Sequence, residues 1–233
     1  MGHALNTVHA YSVSVFRGLR GLMARPGPGP GPKELLELYD FEACPYCRKV
    51  REVMSELDLE YLAKPCPKGS ERREEAVALG GQLQFPFLVD PNTGESLYES
   101  EDIITYLIET YGRGSRGIGR FFAPLNTLTA TLASAIRPRG RAVRPGRAPV
   151  DAGLKALVLY NMEASPYCRK VRETLCELNL EYRVRNVAKR SRRRPELVAE
   201  GGQMMVPYLS DPNTGTALYE SEDIVAYLEK TYR

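Results

Sequence analysis

Sliding the chain against itself by 121 positions lays Leu36–Tyr111 on Leu157–Tyr232 without a gap, with 46 of 76 positions identical. The runs CPYCRKVRE (44–52) and SPYCRKVRE (165–173), DPNTG (90–94 and 211–215) and LYESEDI (97–103 and 218–224) anchor the alignment. Shared amphipathic bias does not produce identity on that scale, so the chain is a duplication and whatever fold the first copy adopts is expected in the second. With 233 residues, of which 43% are apolar, there is material for two small cored units rather than one large one.

Each copy carries the same hydrophobic pattern. A short apolar run opens it, at 35–39 and again at 156–160, and reads as a strand. Cys47, Val50, Val53, Met54 and Leu57 are then spaced for the buried face of a helix, which predicts Arg48, Lys49, Arg51, Glu52 and Glu56 on the solvent side. A second strand is expected near 60–64, and a polar helix over 71–79 stopped by Gly80-Gly81. QFPFLVD gives a third strand entered through a proline, DPNTG a turn, SLYE a fourth strand, and Ser100 opens a last helix to about Tyr111, with Glu101 and Asp102 suited to its first turn. Two strands joined by a helix crossover are parallel. The fold class expected is therefore α/β, with two tandem thioredoxin-like units at 34–112 and 151–233, a basic arm with a Pro/Gly linker at 1–33, and an Arg-rich linker at 113–150.

The net charge of +3 conceals a segregation. Residues 1–33 and 113–150 contain basic side chains and no acids, whereas 34–112 carry 17 acids against 7 bases. The basic connectors read either as arms for an anionic partner or as straps on the acidic first unit. No aromatic residues interleave with the arginines of 113–150 beyond the FF pair at 121–122, so a specific nucleic-acid partner is not expected, while weak contact with a membrane surface or RNA stays open. The apolar, basic stretches at 10–24 and 119–137 are expected to form short packing helices. Apolar runs are broken well before 18 positions, which excludes an ordinary membrane span, and five cysteines make no disulfide framework, which favours a reducing compartment. The N-terminal region has no signal-peptide core; the expected compartment is the cytoplasm, with the plastid stroma as the alternative.

Chemistry concentrates at Cys44-Pro45-Tyr46-Cys47, just after the first strand and at the start of the helix. Unpaired amides and the positive end of a helix stabilise a thiolate, so Cys44 is expected to ionise in roughly the 3.5–7.5 range known for such positions. Cys47, one turn inward, is placed to attack a mixed disulfide on Cys44. The competing readings are two incidental core thiols or a zinc half-site, and zinc needs a second pair of ligands: the only histidines are His3 and His9, and there is no second Cys-x-x-Cys. Cys66 follows the second strand, whose end lies on the same side of the sheet as that of the first; it reads either as an extra redox thiol for Cys44 or Cys47, or as a semi-buried loop thiol.

CPYC after a strand, the proline-entered strand at Phe85-Pro86 and YESEDI opening the last helix resemble the glutaredoxins and the N-terminal domain of glutathione transferases. The likeness covers both copies. The tandem arrangement is similar to bacterial and plastid proteins described only by that domain, and the first copy also resembles the redox domain of the type 2 membrane-associated prostaglandin E synthases. The resemblance implies glutathione as ligand, with glutathionylated or disulfide-bonded proteins as substrates. It implies that Cys44 meets the glutathione sulfur, Tyr46 lines the site, Pro86 is cis with the Phe85 backbone pairing with the tripeptide, Glu99 and Ser100 hold the γ-glutamyl end, and Lys68 helps bind the glycyl carboxylate.

The second copy departs from this pattern. Ser165 stands where Cys44 does and Val187 where Cys66 does, while Cys168 keeps the place of Cys47. A hydroxyl has no disulfide chemistry, so this site is degenerate; Tyr167, Val206, Pro207, Glu220 and Ser221 still match the binding positions, and Cys168 reads as a packed helix residue. The chain also lacks the helical second domain of a complete glutathione transferase. Three activities remain open: a dithiol oxidoreductase working through Cys44 and Cys47, a non-enzymatic glutathione-binding or redox-sensing scaffold, and a glutathione-dependent transferase or isomerase.

Overall fold

A computed structural model describes residues 20–29, 31–112, 128–132, 139–147 and 153–233. The first copy runs β1 (Leu36–Asp40), α1 (Pro45–Glu56), β2 (Tyr61–Pro65), α2 (Arg72–Gly80), β3 (Phe87–Asp90), β4 (Glu95–Leu97) and α3 (Ser100–Tyr111). The second repeats it as β5 (Leu157–Asn161), α4 (Pro166–Glu177), β6 (Tyr182–Asn186), α5 (Arg194–Gly201), β7 (Tyr208–Asp211), β8 (Thr216–Leu218) and α6 (Ser221–Tyr232). β1 and β2 are parallel, β3 and β4 antiparallel, and the second copy matches. Each is a thioredoxin-like unit. α2 ends where Gly81 turns left-handed at φ 77°, and the turn after β3 is closed by Asp90, whose carbonyl accepts from Gly94 and whose carboxylate accepts from Asn92, Tyr106 and Tyr111.

The units are fused through their sheets. β2 pairs antiparallel with β6, so all eight strands form one sheet in the order β4-β3-β1-β2-β6-β5-β7-β8. The register at this seam pairs Tyr61 with Val184, Leu62 with Arg183 and Ala63 with Tyr182. Leu62 and Arg183 are equivalent positions in the repeat, so a two-fold pseudo-axis passes between them. One apolar cluster spans the seam, joining Leu38, Val50, Met54 and Tyr61 to their counterparts Leu159, Val171, Leu175 and Tyr182. Polar clips close its rim: Arg72 donates to Glu181 at 3.0 Å, and Arg183 and Arg185 donate to Glu60 at 2.6 and 2.9 Å.

This fusion overturns one expectation drawn from helical periodicity. Arg48, Lys49, Arg51 and Glu52 do not face solvent; all are buried, and only Glu56 is partly exposed. The face that an isolated helix would give to water is covered here by the second unit and the connectors.

The connectors act as straps where they are described. Arg20 donates to Glu56 at 3.0 and 3.1 Å, while the Ala24 amide donates to the Lys189 carbonyl of the other unit. Arg144 pairs with Glu177 and Glu229, and Arg147 donates to Glu71. Each strap therefore crosses both units instead of lying on the acidic first one. Gly21 and Gly140, at φ 78° and 73°, press against the side chains of Glu163 and Glu42, where an added Cβ would come within 2.9 and 2.7 Å. Of the stretch at 119–137, residues 128–132 are helical, with Ala130 buried and Leu128 and Leu132 exposed. The remainder of that stretch, residues 10–19 of the other, and most of the basic arm and linker lie outside the described residues. Among the described residues, no helix is long and apolar enough to cross a membrane.

Candidate functional site

Cys44 is the N-cap of α1, with Pro45 at the first helical position. Its sulfur accepts the Cys47 amide at 3.2 Å, taking the place a serine or aspartate oxygen normally fills. Burial opposes ionisation of Cys44, but hydrogen bonds from the Cys47 thiol and amide outweigh it. The Arg51 charge and the Tyr46 amide act in the same sense, and the thiol is held below its ordinary value. Cys47 is driven the other way, well upward, by burial and then by the neighbouring Cys44 sulfur. Cys44 is 4% exposed and Cys47 fully buried, so Cys44 is the more accessible sulfur of the pair.

Beside α1 lies a cleft of about 300 Å³ lined by Tyr46, Gln84, Phe85, Pro86, Glu99 and Ser100. The Phe85–Pro86 bond is cis. Among the described residues the Phe85 backbone makes no hydrogen bond, which leaves its N–H and C=O open to an extended ligand; its ring meets Phe41 edge-on at 6.2 Å. Glu99 sits at φ 61° immediately before α3, its carboxylate exposed, and Ser100 is buried at the first position of that helix. A carboxylate for an ammonium group and a helix start for a carboxylate thus lie side by side. The Lys49 ammonium stands 5.7 Å over the Tyr46 ring and is paired with Glu101.

Two candidates lie elsewhere. Lys68 is exposed, but its backbone is clamped to the strap, its amide donating to Arg141 and its carbonyl accepting from Val143; it does not line the cleft. Cys66 packs with Tyr39, Ala76 and Phe87, the cluster on the face of the sheet opposite α1, and its thiol donates to the Lys64 carbonyl at 3.4 Å. Burial pushes it up to about 12. The structure therefore does not bring Cys66 to Cys44 or Cys47, because a shared end of the sheet is not a shared face. All five cysteines are free. Among the described residues, no group of His, Cys, Asp and Glu could hold a metal ion.

The second unit reproduces the geometry without the thiol. Ser165 caps α4 with φ −72° and ψ 123°, against −73° and 122° at Cys44, and its Oγ accepts the Cys168 amide at 3.3 Å. The Val206–Pro207 bond is cis, and a cleft of about 240 Å³ is lined by Tyr167, Met205, Val206, Pro207, Glu220 and Ser221. Cys168 is buried and its thiol pushed up by that burial. Gln84, which donates to Glu99 in the first cleft, is replaced by Met205, so Glu220 has no such partner.

Sequence reasoning missed the charged layer behind Cys44. Arg51 is paired with Asp40 at the end of β1, with Glu42 at 3.0 Å and with Glu163 of the second unit at 3.4 Å. Arg172 donates to Glu42 at 3.2 and 3.3 Å, to Glu163 at 3.1 Å and to Asn161 at 2.7 Å. Burial raises Asp40 to about 6 despite Arg51, whereas Glu42, equally buried, is brought down to about 2 by Arg172 and Arg51. The signal was in the repeat: Glu42, Arg48 and Arg51 recur unchanged as Glu163, Arg169 and Arg172.

The fold and site together define a thioredoxin-like unit with a thiol at a helix start, a cis-proline loop and an acid–serine step. A family model described as the glutathione S-transferase N-terminal domain matches residues 38–116 and again 159–233, and the chain belongs to that family. Comparisons with curated proteins and with solved structures gave no match.

Proposed function

We propose that the protein is a glutathione-dependent thiol–disulfide oxidoreductase of the dithiol glutaredoxin type, with its reaction centre in the first unit. The observation that carries this reading is the Cys44 sulfur, hydrogen-bonded at the α1 N-cap and held below its ordinary ionisation range beside a cleft with a cis-proline turn and an acid–serine helix start. The family supports glutathione as the ligand. Its γ-glutamyl ammonium would meet Glu99, its carboxylate the α3 start at Ser100, and its cysteinyl backbone Phe85, which brings its sulfur towards Cys44.

The Cys44 thiolate attacks the glutathione sulfur of a protein–glutathione mixed disulfide. The protein leaves as a thiolate that takes a proton from water, and Cys44 is left bonded to glutathione. A second glutathione thiolate then attacks that glutathione sulfur, releasing oxidised glutathione and regenerating the Cys44 thiolate. Alternatively Cys47, after losing its proton, attacks Cys44, expels glutathione and forms the Cys44–Cys47 disulfide, which two glutathione molecules reduce. The Ser165 cleft keeps the binding residues and lacks the thiol, so it holds glutathione without turning it over.

Turnover of a glutathionylated peptide by excess glutathione, followed as oxidised glutathione, tests the reading; a rate no faster than the uncatalysed exchange excludes it. Titration calorimetry with glutathione should show two sites. Ser100→Ala, which removes one hydroxyl, and Glu99→Gln, which removes the charge facing an ammonium, should each weaken the first site by roughly tenfold, the loss of one charge-assisted hydrogen bond. Unchanged affinity in both variants would place the ligand elsewhere.

A further inference from the structure

We propose that the second unit, which has lost its nucleophile, serves as the positioning element of the first: Arg172 reaches across the seam to Glu42 and fixes the loop that carries Cys44. For its purpose this rests on the oxidoreductase reading; its geometry does not.

Glu42 stands two residues before Cys44 in the turn between β1 and α1, where the Cys44 amide donates to the Phe41 carbonyl at 3.1 Å. The Glu42 carboxylate is buried, and its partners come from both units. Arg172 contributes Nε at 3.3 Å and Nη2 at 3.2 Å in a forked contact, while Arg51 contributes Nη2 at 3.0 Å. Arg51 in turn is shared with Glu163, the equivalent of Glu42, which lies two residues before Ser165. Each unit's helix arginine therefore grips the capping loop of the other. The strap adds to this from outside, since Gly140 packs directly on the Glu42 side chain.

This arrangement explains why the second unit has kept Arg172 and Glu163 but not the sulfur. An arginine gripping the partner loop is useful to the first unit whatever sits at position 165. It also sets the charge at the nucleophile. Cys44 faces Cys47 and Arg51 from α1, and the charges behind that pair are Asp40 from β1, Glu42 from the capping loop and Arg48 from α1, with Glu163, Arg169 and Arg172 from across the seam. Arg51 is the cation that favours the Cys44 thiolate. Glu42 and Glu163 draw on that cation, and Arg172 relieves both demands.

The test is the pH dependence of Cys44 alkylation in the full chain, with peptide mapping to assign the label, read together with peptide turnover and a thermal melt. Arg172→Met should shift more of the demand of both carboxylates onto Arg51, with Arg48 and Arg169 beside them, raise the alkylation midpoint by about one pH unit and slow labelling roughly tenfold below it. Glu42→Gln and Glu163→Gln, close in shape and neutral, should shift the midpoint downward. Arg172→Lys, which keeps the charge but not the fork, should fall between wild type and Arg172→Met. Opposite signs are the mark of positioning by charge, because simple loosening of the fold would move every variant in one direction. Should Arg172→Met fail to fold, the two glutamine variants decide. An unchanged midpoint in them, or a shift in the same direction as Arg172→Met, overturns the proposal. Alkylation needs no glutathione, so absence of turnover in wild type would count against the oxidoreductase reading and leave this test standing.

Discussion

Cys44→Ser should fold as wild type does and lose all measurable turnover of a glutathionylated peptide, a fall of at least about a thousandfold given how poorly an un-ionised hydroxyl replaces a thiolate. The second unit already carries this substitution: Ser165 caps α4 with backbone angles within one degree of those at Cys44 and accepts the same amide. An unchanged melting temperature is therefore expected alongside the lost activity, and the two measurements together separate chemistry from folding. Cys47→Ser should behave differently. Cys47 is fully buried and its thiol held protonated, so under the proposed mechanism it resolves a mixed disulfide from inside. Its loss should leave turnover of glutathionylated peptide within about tenfold of wild type, since external glutathione completes that cycle, and should abolish reduction of a protein disulfide that needs both sulfurs. If Cys44→Ser retained activity, the reaction centre would have to be sought elsewhere.

Arg51→Met should be the most destabilising single change. It removes one cation from a buried layer in which Asp40, Glu42 and Glu163 all use it. Glu42 and Glu163 keep Arg172, but Asp40 is stranded, and an uncompensated buried charge costs about 3–5 kcal/mol. For a chain of this size that corresponds to a fall of roughly 6–20 °C in melting temperature. The pH dependence gives a second check. Asp40 in the native state ionises at about 6, above the ordinary 3.8, so the folded protein holds a proton that the unfolded one releases. Its share of the stability is present below about pH 4 and is lost as pH rises to about 6. Without Arg51 that decline should continue to higher pH. Adding Asp40→Asn, the residue that the second unit has at position 161, should recover part of the loss. A melting temperature within about 2 °C of wild type for Arg51→Met would show that this layer contributes little.

The architecture was legible in the sequence because local signals agreed. Period-two and period-3.6 patterns, Gly80-Gly81 and DPNTG each name one element or its end, and none depends on distant parts of the chain. The seam was not legible. β2 reads as an ordinary strand, and nothing in YLAKP says whether its free side meets water or β6. Charged residues on α1 were placed outside for the same reason: periodicity sees one helix, whereas Arg51 is covered by residues more than a hundred positions away. Cys66 shows a subtler limit. Strand direction fixes which end of the sheet a residue reaches, but its face depends on alternation, and Cys66 continues the series that points towards α2. The cleft lay between these extremes, since Phe85, Pro86, Glu99 and Ser100 could be named from motifs, while Gln84, which contacts Glu99, belongs to no pattern.

The axis through Leu62 and Arg183 has an implication for how such a chain could arise. A surface whose contacts are mirrored about a two-fold is one that identical molecules can make with each other, so the same edge would let an unduplicated ancestor assemble as a symmetric pair bearing two reactive sulfurs. In such a pair every mutation strikes both halves at once, and a lost cysteine silences the whole. Placing the halves in one polypeptide removes that bond: one half is free to shed its sulfur and specialise, while the other inherits a partner that can never dissociate.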